Sequence, residues 1–510
     1  MTTATVQDVR TWSTQQQEIF GWFETSTVRI NGELATSKHL VVRARAGCGK
    51  TTTIIKGISY APESKILVCA FNKRIADELT AKLALENPNA VAKTLHAVGF
   101  SCVMKFWSGV QVEREKVGVP NRADALAEKV CGATAPDAIK RLVSKLHTKG
   151  REIAPHATKL GDLHDIMVTF ELEPSDEWQE SRFNADYVEA RALEAMELAA
   201  MVRPINGIDF ADMIFLPVRN GWMLPSWDLV VVDEAQDMTV AQLELAQGVC
   251  RGRICVVGDD RQAIYAFRGA DAESLDRLKT QLHAAELGLT TTYRCGRTFV
   301  ELAAMLVPDF SAGASNPEGT IVELLDDPSH SNLVAQAEHG DFILSRVNAP
   351  LVNTAMSLLR NNKRARIAGR DIGAGLKALI RRFAKGPAQH SIPALLAKVS
   401  AWEKREIARY TAAERQDKVD AISDQAATLV SLTEGAKSVA EVTQRIDALF
   451  TDDGLGQAGV ITCSSVHRAK GLEANRVFVL RGTLKTHNTE ELNIQYVAIT
   501  RAKNTLVWVN

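Results

Sequence analysis

From residue 44 the chain reads Ala-Arg-Ala-Gly-Cys-Gly-Lys-Thr, after the apolar run HLVV and before TTTIIKGI. A glycine-rich turn between a strand and a helix can cradle phosphates with its backbone N–H groups, here those of Ala46, Gly47, Cys48 and Gly49. Lys50 can then reach the β- and γ-phosphates, Thr51 can ligate Mg²⁺, and Thr52 belongs to the same cradle. The strict phosphate-loop pattern has glycine where Ala44 stands, so a plain helix-capping turn is the competing reading. Cys48 is most simply a small residue that permits the turn, and nothing supports a redox switch there. A second element, Leu229-Val-Val-Val-Asp-Glu-Ala-Gln-Asp237, delivers two adjacent carboxylates to a strand end. There Asp233 can hold Mg²⁺ while Glu234 orients or deprotonates a water, although an apolar run ending in Asp-Glu is also a common helix start. A third, Val257-Gly-Asp-Asp-Arg-Gln-Ala-Ile-Tyr-Ala-Phe-Arg-Gly-Ala270, places Gln262 to sense a γ-phosphate. Its Tyr265 and Phe267 either stack on bases, with Arg268 beside them, or belong to a core.

Elements of two kinds must position these groups. Short β-branched runs, HLVVRA, KILVCAF, DLVVVDE, RICVVGD, GVITCSS and NTLVWV, read as buried parallel strands with functional loops at their carboxyl ends. Long, charged, helix-periodic territory separates them, and Leu395, Leu396, Val399 and Trp402 mark one apolar stripe in it. The expected organisation is α/β, with two doubly wound cores that each carry a mainly helical insertion. The first core spans 1–100 and 205–278 around an insertion at 101–204. The second spans 279–375 and 456–510 around a short, wholly helical insertion at 376–455.

Composition narrows the classes. Hydrophobic residues make up 46% of the 510, which fits packed domains and excludes a disordered or collagen-like chain. Sixty Lys+Arg against 61 Asp+Glu give a net charge of -1, so a polyanion must be held by a local groove and not by the field of the whole molecule. Eight scattered cysteines without a CxxC pair argue against a zinc ribbon or a disulfide framework. The start, MTTATVQDVR, lacks an apolar export segment and no run is long enough to span a membrane, so a cytoplasmic protein is expected.

The order of these motifs resembles the UvrD/Rep branch of superfamily 1 DNA helicases, and the resemblance runs along essentially the whole chain. Trp12-Ser-Thr-Gln-Gln-Gln-Glu is similar to the amino-terminal glutamine motif, which would make Gln16 the reader of adenine. Ile66-Leu-Val-Cys-Ala-Phe-Asn-Lys and Thr94-Leu-His resemble the single-strand contact motifs, nominating Phe71, Asn72, Thr94 and His96. Asp209-Phe-Ala-Asp-Met resembles the acidic motif that re-enters the first core. Thr292-Tyr-Arg-Cys implies Tyr293 against adenine and Arg294 at the γ-phosphate. Ser464-Ser-Val-His-Arg-Ala-Lys-Gly-Leu-Glu473 implies His467 toward DNA and Glu473 toward ribose, and Glu490 to Lys503 implies Arg501 as a second γ-phosphate arginine.

The resemblance implies two RecA-like P-loop NTPase cores, ATP and Mg²⁺ as cofactors, and a monomer translocating 3′ to 5′ on single-stranded DNA and unwinding at single-strand/duplex junctions. An arginine supplied from across a cleft is worth roughly 10³–10⁵ in rate, so closure would license hydrolysis. The EELNIQYVAITRAK wording is nearest the F-box DNA helicase subgroup, but the sequence shows no F-box-like or nuclease segment, Leu492 and Asn493 stand where related chains often carry arginines, and with the last motif ending close to Asn510 docking of a partner through a carboxyl-terminal tail is not expected. Two rival readings stay open: a translocase that serves as motor subunit of a nuclease, repair or defence assembly, and a nucleotide-switched binding module. The basic stretches 140–151 and 360–370 either touch DNA phosphates or form solvated helix faces.

Overall fold

A computed structural model describes residues 11–30, 32–70, 72–114, 120–170, 172–174, 178, 181–264, 274–327, 330–386, 391–412, 416–451 and 459–510. Two compact units make up the chain. One holds residues up to Arg45 with Gly49–Leu289, the other Ala46–Cys48 with Thr290–Asn510.

The first unit is built on a six-stranded parallel sheet of β1 (Leu40–Ala44), β2 (Ile66–Ala70), β3 (Ala90–Thr94), β4 (Trp227–Val232), β5 (Cys250–Gly258) and β6 (Ala285–Leu289), in the order β3-β2-β4-β5-β1-β6. The central strands are Val/Ile/Leu runs buried on both faces, as helices covering a parallel sheet require. Because all six run the same way, the chain leaves β1, β2, β3, β4 and β5 at one edge, and the phosphate loop, the Asp233-Glu234 pair, the Asp259 loop and the Asn72 and Thr94 turns gather there. Strand β6 pairs with β1 through Leu40↔Ala285 to Ala44↔Leu289, so the first core runs past the sequence boundary at 278. An edge strand with alternating burial lacks the continuous apolar run that would have marked it.

The helices that matter for the site are α1 (Thr14–Thr25), α2 (Lys50–Ile58), α3 (Leu95–Phe106) and, after the insertion, α7 (Phe210–Arg219). Between α3 and α7 lie α4 (Arg122–Cys131), α5 (Asp137–Ile153) and α6 (Ala185–Met201). These pack Leu126, Val130, Ile139, Val143, Val188 and Met196 into a core separate from the one under the sheet. Helices α3 and α7 belong to both: Val103 and Phe215 point into the insertion's core, Leu95, Val98 and Val218 into the sheet's.

The basic stretch 140–151 ends in a buried ion-pair cluster. Arg151 is fully buried on α5, donating from Nη1 to Asp212 at 2.7 Å and from Nη2 to Asp209 at 2.8 Å, and Arg122 pairs with the other oxygen of Asp212. Arg141 and Lys145 of the stretch are exposed.

The second unit carries its own six-stranded parallel sheet: β7 (Thr320–Leu324), β8 (Phe342–Ser345), β9 (Ala365–Ile367), β10 (Ile461–Ser465), β11 (Ala474–Leu480) and β12 (Ala502–Val509), ordered β7-β12-β11-β8-β10-β9. The second insertion is helical as expected, through α8 (Arg370–Phe383), α9 (Ile392–Ala412), α10 (Gln416–Thr433) and α11 (Val439–Leu449). It has no core apart from the sheet. Leu395, Val399, Trp402, Leu429 and Ile446 share one cluster with Ile343, Ile367, Cys463 and Phe478. Within the basic stretch 360–370, Lys363 donates to the carbonyls of Val334, Ala335 and Ala337 at 2.7, 2.8 and 2.7 Å, capping the helix Ser331–Gln336. Among the described residues no helix is long and apolar enough to cross a membrane.

Candidate functional site

The loop after β1 turns through two left-handed glycines, Gly47 (φ 71°) and Gly49 (φ 77°). A side chain at either would be strained, which explains the Gly-Cys-Gly pattern. Gly49 is the N-cap of α2 and supplies no side-chain hydrogen bond, so that helix end is built to take an external acceptor. Lys50 and Thr51 are the first two residues of α2, and Thr51 is exposed.

Lys50 Nζ lies 3.1 Å from Glu234 Oε1. Burial alone would lower this ammonium, yet Glu234, Asp233 and Asp259 together hold it above the usual lysine value. Burial, reinforced by the Glu234 charge, pushes the Asp233 carboxyl up to about 6 against the pull of Lys50. A buried carboxylate of this kind gains most from a cation placed beside it, so Asp233 and the Thr51 hydroxyl fit a magnesium-bound phosphate group. Glu234 itself sits at φ 52°, in the left-handed region that a non-glycine residue rarely adopts.

What holds Glu234 there was not legible from spacing. Gln236 is fully buried, donating from Nε2 to Glu234 Oε2 at 2.6 Å and accepting at Oε1 from the Asp259 N–H at 3.0 Å. It thereby ties the end of β4 to the end of β5. Asp259 is likewise fully buried, and burial raises its carboxyl despite Lys50 and Arg45. Arg45 Nη1 contacts Asp259 at 3.1 Å and Asp260 at 2.7 Å. Gln262, the expected γ-phosphate sensor, is buried and donates to Asp259 Oδ2 at 2.7 Å.

Gln16 lies on α1, over the loop. Its Nε2 donates to Thr53 Oγ1 at 2.9 Å, and its Oε1 accepts from the Ser13 N–H at 3.1 Å in a capping box. Of the three consecutive glutamines, Gln16 is the buried one.

Along the strand-end edge, Asn72 and Thr94 are helix N-caps, accepting from the Ile75 N–H at 2.9 Å and the Ala97 N–H at 3.2 Å. His96 meets the Phe210 ring edge-on, centroids 5.8 Å apart, and burial holds its imidazole below the ordinary value, so it is neutral near pH 7. Phe210 is 67% exposed, the most exposed aromatic among the described residues. The sequence signal for it was the Asp209-Phe-Ala-Asp motif. Phe71, Tyr265, Phe267 and Arg268 lie outside the described residues.

In the second unit, Glu473 is the hub. Arg294 Nε approaches it to 2.6 Å and Lys503 Nζ to 2.5 Å. Arg501 is buried, and its guanidinium donates to Val497 O, Leu472 O and Thr500 Oγ1 at 2.9, 3.0 and 3.0 Å. Burial and then the Arg294 charge lower it to about 10. Tyr293 is 44% exposed. The loop tip grouped with this unit is held by two hydrogen bonds, from the Ala46 N–H to Tyr496 Oη at 2.8 Å and from the Tyr293 N–H to Gly47 O at 3.0 Å. A Cβ on Gly47 would come within 2.5 Å of Arg294 Cβ, a second reason for glycine there. His467 is half-buried in the short helix Val466–Ala469 that leaves β10. Glu473 and Arg501 precede β11 and β12, so they lie at the opposite sheet edge from His467.

A phosphate loop on β1, carboxylates on the ends of β4 and β5, and two RecA-like sheets define a P-loop NTPase with duplicated cores. Residues 29–283 match the family description UvrD/REP helicase N-terminal domain, and residues 460–509 match UvrD-like helicase C-terminal domain. The chain belongs to the UvrD/Rep helicase family. It is similar to F-box DNA helicase protein 1 of Schizosaccharomyces pombe, 24% identical over 94% of this chain and 56% of the relative. F-box DNA helicase 1 of Gallus gallus is 23% identical over 97% and 50%, and ATP-dependent DNA helicase Rep of Salmonella typhimurium is 33% identical over 23% and 18%. The chain thus spans about half the length of the F-box relatives it matches.

Proposed function

We propose that the chain is an ATP-dependent DNA helicase that travels 3′ to 5′ on single-stranded DNA and opens duplex at single-strand junctions, working as a monomer. The observation that carries this reading is the contact between Lys50 and Glu234 at the mouth of the phosphate loop, with Asp233 buried beside it. Thr51 and Asp233 would hold magnesium, which when bound neutralises phosphate charge. Gln16 and Tyr293 would take adenine and Glu473 the ribose. Lys50 turns from Glu234 to the phosphates, which frees Glu234 to accept a proton from the attacking water. Gln262, Arg294 and Arg501 respond to the γ-phosphate, and the arginines complete the charge stabilisation. For Arg294 this means releasing Glu473, so ATP binding and the Arg294–Glu473 pair compete.

The strand would run over Asn72, Thr94, His96 and Phe210 in the first core and His467 in the second, with Phe71, Tyr265, Phe267 and Arg268 completing the track. The division into cores and insertions at 101–204 and 376–455 belongs to the same proposal. The test is displacement of a labelled strand from duplexes with a 3′ or a 5′ single-stranded tail, with ATP turnover followed in parallel. Displacement from the 3′-tailed duplex only, lost in Lys50→Ala, is expected. DNA-stimulated turnover without displacement would instead make the chain a translocase that needs a partner, and absence of turnover would sink the motor reading.

A further inference from the structure

Helices α3 and α7 run side by side away from the strand-end edge; α3 carries aromatic rings at both ends, and Phe210 and Trp222 flank the length of α7. At the start of the pair His96 meets Phe210, and at its far end Phe106 stacks on Trp222, centroids 5.0 Å apart and planes 10° from parallel. Trp107 braces Trp222 edge-on at 5.1 Å. Phe106 is 47% exposed, an unusual position for a large apolar ring at a helix end. Between the two aromatic ends the outward stripe of α3 is Ala97, Ser101 and Lys105, all exposed and spaced four apart. Beside the stripe lies a groove of about 140 Å³, lined among others by Lys93, Ser101, Lys105, Leu224 and Trp227. Both charged residues lining it are lysines, and Lys93 Nζ stands over the Trp227 indole, 5.7 Å from its centroid.

We infer that this groove and the Phe106–Trp222 pair form a second single-strand nucleic-acid site, in which Lys93 and Lys105 hold backbone phosphates and a base stacks on the open face of Phe106. The groove's charge is complementary to a polyanion, and a sequence-tolerant strand site combines this kind of lysine track with flat aromatic surface. The site lies toward the ends of β4 and β5 where the chain enters the sheet, since Trp227 begins β4 and Val249 precedes β5, and so away from the nucleotide loop. It rests on the proposed function only for the nature of the polymer, and it extends the strand's path along α3 beyond His96.

The test uses the full chain, oligo(dT) of increasing length carrying a photoreactive thymine analogue, and peptide mapping of the crosslinks. Crosslinks to the peptides holding Phe106 and Trp222 are expected with long strands. In Phe106→Ala, affinity for long oligo(dT) should fall about tenfold while DNA-free ATP turnover is unchanged, and Lys93→Ala with Lys105→Ala should reduce the salt dependence of binding, log K against log salt, by about 1.4. Because Phe106 and Lys105 are exposed, their variants are expected to melt with the parent protein, and circular dichroism verifies this. Strand binding with crosslinks confined to other peptides and unchanged affinity in all variants would overturn this site while leaving the proposed function standing. Absence of any strand binding would overturn both, and competition by an acidic peptide but not by oligo(dT) would reassign the groove to a protein partner.

Discussion

Single buried side chains decide whether the carboxylates at the nucleotide loop are in place. Gln236 bonds at both ends of its amide, so removing it releases Glu234 and leaves the buried Asp259 N–H without its acceptor. Gln236→Ala is expected to lower kcat for ATP by about 10- to 100-fold while KM changes less than threefold, because the loop and helix end that bind phosphate are untouched. Steady-state turnover across ATP concentrations measures both, and an effect confined to KM would refute the positioning role. Gly258 enters the same account: a Cβ there would sit 2.6 Å from Gln236 Oε1. A second buried group sets a pH limit. His147 donates from Nε2 to Ala123 O at 3.0 Å, while its Nδ1 is buried with no hydrogen-bond partner among the described residues. Burial and then the Arg151 charge lower its pKa to about 3, against about 6.5 unfolded. With the folded value depressed, the unfolded chain binds the extra proton, so the stabilisation is complete above pH 6.5 and declines by about 1.4 kcal/mol per pH unit as pH falls from there toward 3. Denaturant midpoints between pH 7.5 and 5 should therefore fall, and His147→Gln should flatten the slope.

At the scale of elements, the α3–α7 crossing is tight enough for one methyl group to matter. A Cβ at Gly99 would meet the backbone carbonyl of Met213 at 2.0 Å, and backbone cannot move aside as a side-chain tip can. Gly99→Ala should cost about 1–3 kcal/mol and shift Phe210 against His96, weakening strand binding more than DNA-free turnover. Gly21 in α1 meets nothing within 4 Å, so Gly21→Ala should instead stabilise by about 0.5–1 kcal/mol; thermal melts of the two variants should move in opposite directions. The strands show why part of the fold could be read from sequence. Strands β1, β2, β4, β5, β10 and β12 carry buried apolar runs, whereas edge strands β3 and β7 are only partly buried. The nucleotide loop and Asp233-Glu234 were legible because each is a contiguous motif. Arg45 and Asp259 are 214 residues apart in sequence and were not, and Arg151 looked like surface because its partners Asp209 and Asp212 lie 58 and 61 residues away.

For the whole molecule the two insertions, alike in sequence as charged helical territory, differ in what holds them. Helices α4, α5 and α6 enclose their own core; α3 and α7, whose buried faces are divided between the two, join it to the first sheet's core, and α5 also packs against the helix Val240–Gly248. Helices α8 to α11 share one continuous core with β8, β9, β10 and β11, so separating them would open apolar surface on both sides. Cooperative units follow contiguous buried surface, because opening one part exposes whatever it packs against. Native-state hydrogen exchange under increasing denaturant should therefore show α10 and α11 opening with β9 and β10, at one free energy and with one denaturant slope. Helices α4 and α5 should open at lower free energy than β1 and β4, with a smaller slope set by their own buried area. Exchange in which α10 opened well before β10 would mean that their shared apolar cluster does not couple them. Exchange in which α5 opened only with β4 would mean that the buried pairs of Arg122 and Arg151 with Asp212 bind the insertion to α7 tightly enough to merge the two cores into one unit.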